Sequence, residues 1–163
     1  MTENLQKATF AAGCFWQVEV EFRNTDGVKD AVVGYIGGST ERPSYEDVCT
    51  GRTGHAEAVH LTFDPDQVSF AELADKFFAL HDPTQLNRQG PDFGHQYRSA
   101  IFFHNPEQER EAIAAKERAQ TEHRSQVVTE IVPAGPFYLA EDYHQRYLEK
   151  RGMATCPVPS AAA

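Results

Sequence analysis

From His55 to Phe63 the apolar residues alternate: Val59, Leu61 and Phe63 fall on one face of an extended strand, and Asp64-Pro65 ends it. Six residues on, the period changes. Ser69 and Glu72 make a capping box, and Phe70, Leu73, Ala74, Phe77, Phe78 and Leu80 form a wide helical stripe that runs to His81 and stops at Asp82-Pro83. A half-buried strand followed directly by an amphipathic helix buries both apolar faces by laying helix on sheet, so the chain is committed to a layered α/β arrangement.

The other segments extend that plan. Lys7 to Ala12 reads as a strand. Phe15, Val18 and Phe22 support a helix from Phe15 to Arg23, although Trp16, Val18, Val20 and Phe22 also alternate. Asp26-Gly27 is a turn, and Val28 to Tyr35 a strand. Residues 36–54 read as a long loop rich in Gly, Ser, Thr and Arg, and 84–96 as a second polar loop. Tyr97 to His104 is a strand. Asn105 caps a helix with Pro106 at its first position, running to Arg124. Val127 to Val132 is a strand ended by Pro133, and Glu141 to Arg151 a last helix stopped by Gly152. The order β-α-β-β-α-β, then α-β-α, matches the split β-α-β plan. The expectation is an α+β protein: one domain over residues 1–163, a mixed-sheet α/β sandwich with a ferredoxin-like core (7–151) and a mobile C-terminal tail (152–163).

Composition excludes several classes. Net charge is −9, the wrong sign for a nucleic-acid footprint. No stretch approaches the ~20 apolar residues of a membrane helix, and the N-terminus has no apolar signal core. Seven histidines lack the spacing of a zinc site. Three cysteines, at 14, 49 and 156, make no static disulfide framework and point to a reducing, cytoplasmic setting.

The residues that could do chemistry are few. Cys14 stands where a strand ends and a helix begins, next to the only tryptophan. Free backbone N–H groups and the helix dipole there favour thiolate, the reactive form; the other reading is a small buried hydrophobe. Phe15 and Trp16 could wall an apolar pocket. Glu57 falls on the apolar face with Val59 and Leu61; if buried there its carboxyl stays protonated near neutrality and can donate a proton, and if the register is off by one it is a solvent-facing acid. Tyr45 and Tyr97, in or beside the two loops, could bind an oxygen or be ordinary aromatics. Asp92 is explained as well by a turn as by a binding role. Cys156, before Pro157, is a candidate resolving thiol or a bare surface one. Cys49 reads as structural.

Taken together these residues form a pattern. Gly13-Cys14-Phe15-Trp16 with Glu19, the run Tyr45-Glu46-Asp47-Val48-Cys49-Thr50-Gly51-Arg52-Thr53-Gly54-His55-Ala56-Glu57, His81-Asp82-Pro83-Thr84-Gln85, and Asp92-Phe93-Gly94-His95-Gln96-Tyr97-Arg98-Ser99 resemble, in order, the motifs of the A-type peptide methionine sulfoxide reductases. The resemblance covers residues 7–148.

It implies a mixed α/β fold and a thiol-dependent reduction of methionine S-sulfoxide, peptide-bound and free. It implies Cys14 as nucleophile, Glu57 as the acid that protonates the sulfoxide oxygen, and Tyr45 and Tyr97 as hydroxyls that bind that oxygen. Phe15 and Trp16 would hold the S-methyl group, and Asp92 would contact substrate. Cys14 sulfenic acid would pass to a Cys14–Cys156 disulfide recycled by thioredoxin. No cofactor or metal is implied; the partners are oxidised proteins and thioredoxin, and the expected state is a monomer. Two features depart from the family: His95 stands where a small hydroxyl residue is common, and the chain ends soon after Cys156. The alternative class is a thiol hydrolase or acyltransferase pairing Cys14 with His55, His95 or His144.

Overall fold

The computed structural model describes residues 4–90, 92–145 and 147. The elements are β1 (Gln6–Ala12), α1 (Phe15–Arg23), β2 (Val28–Ile36), α2 (Tyr45–Cys49), β3 (Ala56–Phe63), α3 (Phe70–Ala79), β4 (Arg88–Gln89), β5 (Asp92–Phe93), β6 (Ser99–Phe103), α4 (Pro106–Gln120), β7 (Glu130–Pro133) and β8 (Phe137–Leu139). Six strands make one sheet in the order β7-β6-β1-β3-β2-β8. Its middle, β6-β1-β3-β2, is antiparallel throughout, and β7 joins β6 in parallel. This is the split β-α-β arrangement with an added strand at each edge.

Phe10, Val33, Val59, Leu61, Phe63 and Ile101 make the core with residues of α1, α3 and α4. The alternation from His55 to Phe63 therefore points where period two demands. Phe10 is its hub: the ring stacks on Phe22 of α1 and on Phe70 and Phe77 of α3, with centroids 5.1, 5.8 and 5.2 Å away. A smaller cluster of Ala11, Ile36, Ala56, Ala58, Ala100 and Phe102 lies on the other face, with Val132, Ala134 and Phe137 against it.

The termini of the helices follow local chemistry. Ser69 and Glu72 close their box at 3.0 and 2.8 Å, and the Asn105 side chain accepts from Gln108 N–H ahead of Pro106. α4 ends at Gln120, four residues short of the expected Arg124.

Several expectations are corrected. The 36–54 segment is not all loop, because α2 sits inside it, capped by a Ser44–Asp47 box that the sequence carries openly. Tyr97 closes a one-turn 3-10 helix, His95–Tyr97, and the strand begins at Ser99. The 84–96 segment holds the two-residue strands β4 and β5. Val127 and Val128 are drawn off to Gln120 and Pro83, so β7 starts only at Glu130, and β8 was not expected. Where a helix was expected from Glu141, the described residues begin with a 3-10 turn, Asp142–His144, and Tyr147 is helical; residues 146, 148–151 and the tail with Cys156 lie outside the described residues.

Candidate active site

The site lies at one end of the sheet. Because β1 runs antiparallel to both β3 and β6, its last residues lie beside the first residues of those strands: Phe10 faces Val59, and Ala12 faces Ser99. Cys14 leaves the end of β1, Glu57 opens β3, and Tyr97 precedes β6. The antiparallel topology brings Glu57 and Tyr97 to Cys14, from which they are 43 and 83 residues away in the chain.

Cys14 is the N-cap of α1, half-buried, so its sulfur sits at the positive end of that helix. Gly13 before it has φ of +96°, and a Cβ there would lie 2.8 Å from the Cβ of Gln89. The β4–β5 hairpin thus packs directly on the turn that delivers Cys14. Gln89 anchors that hairpin, accepting from Asp82 N–H at 2.7 Å and donating to Asp82 C=O at 2.8 Å.

Glu57 is 1% exposed and on the core face, as the alternation required. Its partner across β2 is Tyr35. Oε1 accepts the N–H of Phe15, the first residue of α1, at 3.3 Å; Oε2 is buried with no hydrogen-bond partner among the described residues. Burial pushes the carboxyl up to about 8, against the pull of the Phe15 N–H; the charge of Asp92 adds to the rise. At neutral pH Glu57 is therefore largely protonated and holds a proton next to the N-cap cysteine.

Tyr45 and Tyr97 are both kept firmly protonated, by burial first and then by the charge of Glu57. Tyr97 also feels Asp92 and Cys14. Asp92, half-buried on β5, is itself raised by burial. The Tyr45 hydroxyl is hydrogen-bonded to the sulfur of Cys49, which is exposed. The structure thus gathers Cys14, Phe15, Trp16, Tyr45, Glu57, Asp92 and Tyr97 around one point.

Sequence reasoning did not find what holds this cluster. Glu141 accepts the N–H of Tyr45 at 2.9 Å on one oxygen and the hydroxyl of Tyr35 at 3.0 Å on the other. Burial works to raise its carboxyl, but those donors outweigh it and hold Glu141 below the usual range. His144 accepts the indole N–H of Trp16 at 3.0 Å, and its ring lies 4.5 Å from that of Tyr45. Tyr147 stacks on Trp16 at 3.7 Å. No periodic signal marks these residues; their spacing to Trp16 and Tyr45 exists only after folding.

The model of the family described as peptide methionine sulfoxide reductase matches residues 6–163. The chain belongs to this family. A peptide methionine sulfoxide reductase from Acidobacterium capsulatum is 57% identical over 156 residues, 94% of this chain and the whole of that one. Among solved structures, the methionine sulfoxide reductase A of Corynebacterium diphtheriae superposes with a TM-score of 0.88 at 40% identity, over 99% of this chain and 82% of that one. Reduced Mxr1 of Saccharomyces cerevisiae gives 0.87 at 39% identity, over 91% and 86%. Mxr1 in complex with Trx2 gives 0.64 at 26% identity, over 90% and 89%. The chain is accordingly a methionine sulfoxide reductase, an oxidoreductase rather than a hydrolase.

The histidines a hydrolase would need are engaged elsewhere. His55 accepts Gly38 N–H on Nδ1 and donates from Nε2 to Thr40 C=O, His95 pairs with Arg98, and His144 holds Trp16. Among the described residues, no helix is long and apolar enough to cross a membrane.

Proposed function

We propose that the whole chain acts as one catalytic domain in which Cys14 attacks the sulfur of a methionine S-sulfoxide while Glu57 protonates the departing oxygen. The observation that carries this is Glu57 itself: buried, raised to about 8, one oxygen on the N–H of the residue after Cys14 and the other without a hydrogen-bond partner among the described residues. A protonated carboxyl beside a nucleophile is arranged for general acid catalysis, typically ~10²–10⁴-fold. Tyr45 and Tyr97 donate to the same oxygen and cannot compete as acids, because both are held protonated. Phe15 and Trp16 take the S-methyl group, and Asp92 a polar part of the substrate.

The step balances. The thiolate of Cys14 and the proton of Glu57 convert the sulfoxide to methionine, leaving Cys14 as a sulfenic acid and Glu57 as a carboxylate. Cys156 then displaces water from that sulfur to form a Cys14–Cys156 disulfide, and an external dithiol returns both to thiols. The complex of the related Mxr1 with Trx2 supports a thioredoxin in that role. The odd cysteine count supports a cytoplasmic setting, where such dithiols are kept reduced. Turnover needs no metal or organic cofactor, since thiols carry the electrons.

The test is reduction of separated S and R epimers of a methionine sulfoxide peptide with dithiothreitol, by wild type and Cys14→Ser. Turnover of the S epimer alone, lost in Cys14→Ser, is expected. Turnover retained in Cys14→Ser removes Cys14 as nucleophile.

A further inference from the structure

His144 entered the sequence reading only as one of three histidines for a hydrolase that the chain is not. It is nevertheless 1% exposed at the centre of the site. Its ring centroid lies 5.2 Å from Phe15, 5.6 Å from Trp16 and 4.5 Å from Tyr45. Its Nδ1 faces the indole N–H of Trp16 at 3.0 Å. An indole N–H only donates, so Nδ1 must offer a lone pair and the proton of a neutral ring must sit on Nε2. Nε2 is buried without a hydrogen-bond partner among the described residues.

We propose that His144 is a positioning residue for substrate binding: its neutral Nδ1 fixes the plane of Trp16, and with it the apolar wall that receives the S-methyl group. This rests on the reading of Trp16 as part of the methyl pocket. The indole is clamped from two directions, by Tyr147 stacked on it with planes 8° apart and by His144 at its N–H. A stacked ring can slide and rotate in its own plane; the hydrogen bond is the contact that sets that rotation.

Protonation reverses the contact. An imidazolium has two N–H donors and no acceptor, so it would face the indole N–H donor to donor. The groups around His144 act in opposite senses. Burial among the rings of Phe15, Trp16, Tyr45 and Tyr143 holds the imidazole below the usual histidine range, and the carboxylate of Glu141 pulls it up. Tyr45 and Tyr143 are themselves raised and stay neutral. The neutral, accepting form is thus the one present at pH 7, and acid releases the indole.

Trp16 is the only tryptophan in the chain, so its emission reports this contact directly. The experiment compares wild type, His144→Phe, His144→Asn and Trp16→Phe. The readouts are steady-state kinetics on a methionine sulfoxide peptide and, in the variants that keep Trp16, emission between pH 8 and 4. Asn places an acceptor oxygen near the position of Nδ1 and does not titrate. Loss of one hydrogen bond corresponds to a roughly threefold to tenfold rise in KM for His144→Phe, with a smaller change in kcat. His144→Asn should recover most of the KM, and the acid transition in emission should vanish in both His144 variants.

KM raised by Trp16→Phe but unchanged in His144→Phe overturns the positioning role and leaves the pocket reading standing. KM unchanged in both variants removes the pocket reading and this inference with it. If His144→Phe does not fold, His144→Asn decides: an acid transition in emission that persists in that variant overturns the proposal.

Discussion

The backbone N–H of Phe15 points at Oε1 of Glu57, 3.3 Å away, so the helix that begins after Cys14 starts on the carboxyl of a strand 42 residues later. One contact thereby ties the position of the candidate nucleophile to that of the candidate acid. It also leaves Oε2 as the atom able to carry the proton toward a substrate oxygen.

Glu57→Gln keeps an oxygen to accept the Phe15 N–H but has no proton to give. Single-turnover reduction should slow by ~10²–10⁴-fold with the fold intact. Wild-type single-turnover rates should fall as pH rises past about 8, where Glu57 ionises, and the variant should lose that limb. Rapid-quench measurement of methionine release from pH 6 to 9.5 checks both; a variant at the wild-type rate removes Glu57 as the acid.

The same carboxyl affects stability with a definite sign. Its folded value, about 8, lies above the unfolded 4.5, so its contribution is present below 4.5 and lost as pH rises through 8. Urea midpoints of wild type should therefore decline relative to Glu57→Gln between pH 6 and 9. Parallel curves would show that the carboxyl is not buried in the folded protein.

Gly13→Ala should be costly in two ways. The φ of +96° strains any L side chain, and the added Cβ would meet Gln89 at 2.8 Å. A loss of ~1–3 kcal/mol is expected, together with reduced kcat/KM as the β4–β5 hairpin is displaced from the Cys14 turn. Denaturant melts and steady-state kinetics on the same sample report both; an unchanged melt would mean the turn relaxes freely.

Cys156→Ser should release one methionine per enzyme and then stall with thioredoxin as reductant, while still cycling with dithiothreitol. Normal cycling with thioredoxin would remove Cys156 from the reaction.

Acid should lower the stability of the fold. His81 is pushed down to about 4, chiefly by burial, while its Nδ1 donates to Phe77 C=O and Nε2 meets the Ser99 hydroxyl. The unfolded histidine binds a proton below 6.5 and the folded one does not. Stability present above 6.5 is thus lost as pH falls toward 4, by roughly 3 kcal/mol. Thermal midpoints of wild type and His81→Gln at pH 7 and 5 should converge as pH falls.

Much of this protein is legible in the chain, for a physical reason: period and capping are local. The alternation from Val59 to Phe63 predicted the core face of β3 and so the burial of Glu57, and the box at Ser69 and Glu72 predicted where α3 begins. α2 escaped notice although its Ser44–Asp47 box was there to read, because five residues among glycines and polar side chains carry no apolar period. β7, β8 and the turn at Asp142–His144 escaped for a different reason. Those short segments take their form from partners elsewhere, β6 for β7 and β2 for β8, which no local pattern announces.

The sequence by itself determined the types of the longer elements, the core-facing register of Glu57, Val59 and Leu61 on β3, the position of Cys14 at a helix start, and, through four motifs, the family. Only the tertiary structure decided that Glu57 reaches the Phe15 N–H, that Glu141 caps the helix of Tyr45, and that His144 holds Trp16. Those contacts join residues 42, 96 and 128 positions apart. An antiparallel sheet brings strand ends together regardless of the length of chain between them, and a hydrogen bond or a pKa shift depends on that distance in space.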